Sequence, residues 1–481
     1  MNYRSTLKLQ RSMSLAGSYD QWHEAALAYD RSTGMDRWQK NDRSRLYDFN
    51  SIRNRLNHLK SLRRKKDNRA LLFTLNEGIH GNMDGMGNEQ LYFRAKTGTK
   101  ALIEDYIQAV ATSLEYLASP IVKDISADEK LAFFMRAHHC FGRSALMLSG
   151  SGTFLYFHIG VVRAMWSEGL VPNIVSGSSG GSVVGAIVCT HADNELSRIL
   201  DEQWLIARFA VAESDKMARS HRLQDEQVRD HINQVIPDMT FQEAFELTGR
   251  HLNISIAPSE RHQNSRLLNA VTSPNVLIRD AVQASCAVPG VYKPVRLMAR
   301  DINGKRVPFL ENRKWIDGSV ADDLPAKRLA RLYGVNHYIV SQANPLVARF
   351  IGTTKRGMST FDILRDAGRD TLRTWLNTHM ALMAKPLSRF PAINSAASLS
   401  MSVINQTYNG DINLVRPMRI RSLNKILGRL TAREIIDLMR AGEQIAWQRM
   451  AMIRTQTRIS QSLDAILDQT DPARKEKAIT A

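Results

Sequence analysis

Asn173-Ile174-Val175-Ser176-Gly177-Ser178-Ser179-Gly180-Gly181-Ser182 is the stretch on which the fold turns. Asn173 to Ser176 reads as a short strand, and Ser182 to Cys189 reads as a helix. The G-x-S-x-G between them forces a tight turn whose flanking positions, Gly177 and Gly181, must lack bulk. Ser179, at the middle of that turn, is thereby presented at a helix N-terminus as a candidate nucleophile. Gly and Ser are common residues and such turns also bind phosphate, so the motif needs partners elsewhere in the chain.

A second glycine turn, Ser149-Gly150-Ser151-Gly152-Thr153, follows the strand-like Ala145 to Leu148 and precedes the helix-like Leu155 to Glu168. Backbone N–H groups of Gly150, Ser151 and Gly152 could hold the oxyanion formed when a serine attacks an ester, and the same geometry would hold a phosphate. A dinucleotide fingerprint fits poorly, because the third glycine of G-x-G-x-x-G falls on Leu155. A Walker lysine is absent.

The proton acceptor a serine needs is offered by Asp317-Gly318-Ser319, just after Trp315-Ile316; an aspartate in that setting is also a common turn residue. Histidine is the usual base. Of the 13 histidines, His158, His337 and His379 are candidates, and the last two follow Asp317 in the order Ser, Asp, His. These residues taken alone leave a triad open.

Around these motifs, residues 143–345 alternate short β-branched runs (Ala145 to Leu148, Ile174 to Ser176, Leu252 to Ile256, Trp315 to Ile316, His337 to Ser341) with helical patterns. That alternation predicts an α/β domain on a mainly parallel central sheet flanked by helices. A helical N-terminal region over 18–142 is preceded by a tail, 1–17. An amphipathic and helical C-terminal region, 346–466, ends in a polar tail, 467–481. Leu364, Leu372, Trp375, Leu376, Met380 and Met383 alternate with Arg365, Arg369, Arg373 and Lys385, the pattern of a helix packed on the core or lying on an anionic membrane surface.

The 481 residues are 43% hydrophobic and 23% charged, the composition of a folded chain, and carry a formal charge of +18. That charge suits an anionic partner such as a lipid surface. Nucleic acid is disfavoured, since aromatic residues are not interleaved with the basic ones. Cys140, Cys189 and Cys286 are read as buried thiols of a reducing, intracellular compartment. No signal peptide and no transmembrane run is found, so membrane contact is expected to be peripheral.

The chain resembles the patatin-like phospholipase family, in the branch with a characteristic N-terminal helical region that includes triacylglycerol lipases. The resemblance rests on Leu146 to Val162, Gly177 to Ser182, Asp317-Gly318-Ser319, Asn275 to Ile278, Ala284 to Gly290, Asp323-Leu324-Pro325 and Val335 to Pro345. It extends to Tyr19 to Trp22, Trp38 to Lys40, Gly98 to Lys100, Tyr408 to Asp411 and Gly442-Glu443 with Trp447. It implies a patatin-like core and a Ser179–Asp317 dyad in place of a triad. Oxyanion donors would come from Gly150 to Gly152, with an acyl-enzyme ester on Ser179 and no metal or organic cofactor. The substrate would be an acyl lipid, met at an anionic membrane or lipid-droplet surface. Two positions depart from the family: Ser151 and Leu155 stand where it usually has glycine. Acyl transfer to a lysolipid from the same site, or a catalytically weak lipid-binding protein, are the competing functions; oligomeric state is not legible.

Overall fold

A computed structural model of the chain describes residues 3–79, 81–215, 223–260, 264–344, 410–417 and 426–470. The basic amphipathic stretch carrying Arg365, Arg369, Arg373 and Lys385, together with His379, lies outside the described residues.

The sheet is built from β1 (Arg143–Leu148), β2 (Ile174–Gly177), β3 (His251–Pro258), β4 (Arg266–Leu268), β7 (Trp315–Asp317), β8 (Val335–Gln342) and β9 (Ile412–Val415); a separate hairpin pairs β5 (Met298–Arg300) with β6 (Arg306–Pro308). Its order is β4-β3-β2-β1-β8-β9, with β7 also pairing with β3. All pairs from β3 through to β9 are parallel, and β4 and β7 are antiparallel to β3. The sequence therefore gives a mainly parallel α/β sheet, as expected from the alternation. Its central strands are apolar on both faces because helices cover both.

Leu148 and Gly177 are register partners on β1 and β2, so both glycine turns leave the same, carboxyl edge of the sheet. In open α/β sheets this edge is where ligands bind. The helix after the first turn, Leu155–Ser167, is gripped by a tail helix, Ala432–Trp447. The grip depends on two glycines. A β-carbon on Gly160 would run into the carbonyl of Met439, and one on Gly442 into the carbonyl of Phe157. Arg163 and Glu443 form an ion pair across the same crossing. Thr431 and Glu434 close a capping box that starts the tail helix.

Two features go beyond the sequence reading. The C-terminal region contributes β9, an edge strand parallel to β8, in addition to helices Ala432–Trp447 and Met450–Thr470. The first residues, read only as a tail, form the helix Tyr3–Leu15, with Met13 and Ala16 buried in the core. Cysteine burial is corrected in part: Cys189 is buried and Cys286 half-buried, but Cys140 is exposed beside the buried stripe Phe133, Phe134, Ala137 and Phe141 of its helix. No described helix is long and apolar enough to cross a membrane.

Candidate active site

Ser179 closes β2 and opens the helix Gly180–Thr190. Its backbone sits at φ +50° and ψ −126°. The other described non-glycine residues with positive φ, Lys66 and Asp84, rest in the ordinary left-handed well at ψ 32° and 25°. Ser179 lies outside that well, a conformation costing on the order of 1–3 kcal/mol that persists only where its surroundings enforce it. Four contacts do so. A β-carbon on Gly177 would strike the Gly181 carbonyl, and one on Gly181 the Leu148 carbonyl, so the turn folds flat against β1. The Ser179 N–H donates to Ser285 Oγ at 2.9 Å, and Ser285 Oγ donates to the Ser255 carbonyl on β3 at 2.8 Å.

Asp317 ends β7, which is held antiparallel to β3 by pairing with Ile256. Its carboxylate is 2% exposed and accepts the Ser319 N–H at 2.8 Å on Oδ1, with the hydroxyls of Ser319 and Ser179 close enough to favour its ionised form. Burial raises its pKa to about 6, against the pull of those groups. A carboxylate in this state is ionised at neutral pH yet basic enough to accept a hydroxyl proton.

The glycine turn after β1 is distributed unevenly. Gly150 N–H donates to Asp323 Oδ1 at 2.7 Å. Ser151 holds φ −146°, ordinary for any residue, and its hydroxyl is buried against Gly180. Gly152 carries the positive φ, +52°, and a β-carbon there would meet the Ile426 carbonyl. Thr153 N–H donates to that same carbonyl at 2.8 Å. Asp323 is 1% exposed, and its pKa is raised to about 7 by burial and by the charge of Asp317.

The histidines stand elsewhere. His158 is buried between Ser341 Oγ, 2.7 Å from Nδ1, and the Ser149 carbonyl, 3.0 Å from Nε2; burial lowers its pKa to about 4. It braces the first turn against β8. His337 lies near the start of β8, in register with Ser144 near the start of β1, with Nδ1 2.9 Å from Ser144 Oγ and Nε2 2.9 Å from Gln456 Oε1. That is the amino edge of the sheet, opposite Ser179.

Ser179 opens into a largely apolar cavity of about 130 Å³. Gly152, Leu155, Ile159, Val183, Ile187 and Leu205 are among its lining residues, and most of the rest are also apolar. Leu155, one of the two departures from the family pattern, thus forms part of the cavity wall. Sequence reading gave no role to Ser285 or Asp323. Both stood in motifs that carried the resemblance, but their types alone did not say what they would touch.

The Patatin-like phospholipase family matches residues 146–330, and a domain of unknown function (DUF3336) matches residues 1–139. Triacylglycerol lipase ptl3 of Schizosaccharomyces pombe is 32% identical over 94% of this chain and 95% of its own length. Triacylglycerol lipase SDP1L of Arabidopsis thaliana is 30% identical over 99% of this chain and 60% of its own length. A patatin-like phospholipase domain-containing protein of Cryptococcus neoformans, CNBE2340, is 30% identical over 95% of this chain and 54% of its own length. The chain therefore spans little more than half the length of several curated relatives it matches. With one relative matched along nearly its whole length, the chain belongs to the patatin-like phospholipase family.

Proposed function

We propose that this chain hydrolyses acyl esters of lipids through a Ser179–Asp317 dyad. The observation that carries the reading is a strained serine, with a buried aspartate whose ionised form its hydroxyl favours, that faces an apolar cavity. In this reading Ser179 Oγ attacks the acyl carbonyl while Asp317 takes its proton. Negative charge on the carbonyl oxygen is met by the Ser151 and Gly152 amides at the start of the following helix, Gly150 being engaged by Asp323. Collapse of the tetrahedral species expels the alcohol, which takes its proton back from Asp317, and leaves an ester on Ser179. Water, deprotonated by the same aspartate, then releases the fatty acid.

The acyl chain lies in the cavity against Ile159, Val183, Ile187 and Leu205. Its apolar walls suit a long chain, and the names of two relatives, both triacylglycerol lipases, suit a neutral glyceride. The charge of +18 favours work at an anionic lipid surface.

The test is a panel of triacylglycerols and glycerophospholipids incubated with the purified protein and with Ser179→Ala, products identified by mass spectrometry, with and without a lysolipid acceptor. Free fatty acid from the wild type alone supports hydrolysis. Acylated acceptor in its place assigns acyl transfer, and no Ser179-dependent product from any lipid makes the chain a lipid-binding protein.

A further inference from the structure

The segment from Asp317 to Asp323 carries two buried carboxylates that face different parts of the site. Asp317, at one end, lies close enough to the Ser179 hydroxyl for it to favour the ionised carboxylate. Asp323, at the other, accepts the N–H of Gly150, the first residue of the oxyanion turn. Between them runs the short helix Ser319–Asp322, whose first amide donates to Asp317. The β-carbon of Ser319 would lie 3.0 Å from a β-carbon built on Gly150, so the turn is pinned on one flank by Ser319 and through its amide by Asp323.

We propose that Asp323 is a positioning residue for this reaction, holding Gly150 so that the next two amides, of Ser151 and Gly152, aim at the developing oxyanion. The inference rests on the proposed role of Ser179. Three observations support it. Gly150 and Asp323 are both buried, and the Gly150 N–H donates to Asp323 Oδ1 at 2.7 Å, a short bond away from bulk solvent. The far end of the turn is already held, Gly152 closing on the Ile426 carbonyl and Thr153 N–H donating to it, so an anchor at Gly150 fixes the near end and leaves the amides between them one aim. Base and anchor are parts of one segment, so a shift of Asp317 toward Ser179 is transmitted to the oxyanion turn. The carboxylate touches neither substrate nor Ser179 in this scheme and acts through Gly150 alone.

Oxyanion donors act on the transition state and not on the bound ester, so displacing them lowers kcat and leaves KM nearly unchanged. Asp323→Ala removes the acceptor and should lower kcat on the order of 100-fold, comparable to loss of one donor, with KM within about threefold. Asp323→Asn keeps an acceptor oxygen at the same place and should restore kcat to within about tenfold of the wild type. Should Asp323→Ala not fold, Asp323→Ser, whose side chain is too short to reach Gly150, replaces it. Wild type and Ser179→Ala are assayed beside them on the same ester. A wild type without Ser179-dependent turnover refutes the proposed function itself. With that turnover present, the anchoring role is overturned by an Ala or Ser variant that keeps its kcat, by a loss expressed in KM, or by a folded Asn variant as slow as the alanine one.

Discussion

The hydroxyl of Ser285 accepts the N–H of Ser179 at 2.9 Å and donates a hydrogen bond to the Ser255 carbonyl, so one small side chain ties the nucleophile turn to β3. Ser285→Ala leaves a buried N–H without an acceptor in a backbone already strained. Such a loss costs about 1–3 kcal/mol. Denaturant unfolding should report a loss in that range, and kcat should fall with it as Ser179 relaxes. A variant with wild-type stability and kcat would mean the strain at Ser179 is held by the glycine contacts alone.

Acid should switch the enzyme off through Asp317. Burial raises its carboxyl to about pH 6, and only the ionised form can accept the Ser179 proton. Above that pH the base is charged and the rate is at its plateau; below it the protonated fraction grows, and kcat/KM should fall roughly tenfold per pH unit. Asp317→Asn should lack the plateau altogether while folding normally. A kcat/KM that stays flat from pH 7 to pH 5 would remove Asp317 from the role of base.

Ser151, the departure that lies in the oxyanion turn, differs from the glycine beside it. Ser151 sits at φ −146°, which glycine and serine both adopt, so Ser151→Gly should change kcat/KM by less than about tenfold. Gly152 carries φ +52° and faces the Ile426 carbonyl, so Gly152→Ala should abolish turnover. Steady-state kinetics of the two variants decide the matter. A gain of roughly 100-fold in Ser151→Gly, about one oxyanion donor's worth, would instead mean that the serine restrains the natural turn.

His337→Ala should keep its turnover, because the imidazole bonds Ser144 and Gln456 at the edge of the sheet away from Ser179. Its cost should appear in thermal unfolding. A folded His337→Ala as inactive as Ser179→Ala would require a different arrangement of the site.

Ser179, Gly177 and Gly181 were legible because a strand-to-helix turn is set by the dihedral freedom and bulk of a few adjacent residues, and those are written locally. The strands β1, β2, β3 and β8 were legible for the same reason, each being a short buried run between breakers. Asp317 was only half legible: by type it was more often a turn residue, and the family resemblance, not its neighbours, marked it out.

What the sequence could not state was who meets whom across the fold. That His337 stands at the amino edge and Asp317 beside Ser179 follows from strand order and direction, with β7 turned antiparallel onto β3. That Gly160 and Gly442 let two helices close up, that β9 from the tail extends the sheet, and that Ser285 and Asp323 reach the amides of Ser179 and Gly150 are likewise facts of the assembled chain. The physical reason is one of range. Backbone preference and hydrophobic period act over a few residues, so the sequence by itself determined the turn, the strands and the serine. The partner of a buried N–H or carboxylate is chosen by packing between distant segments, and only the tertiary structure decided it.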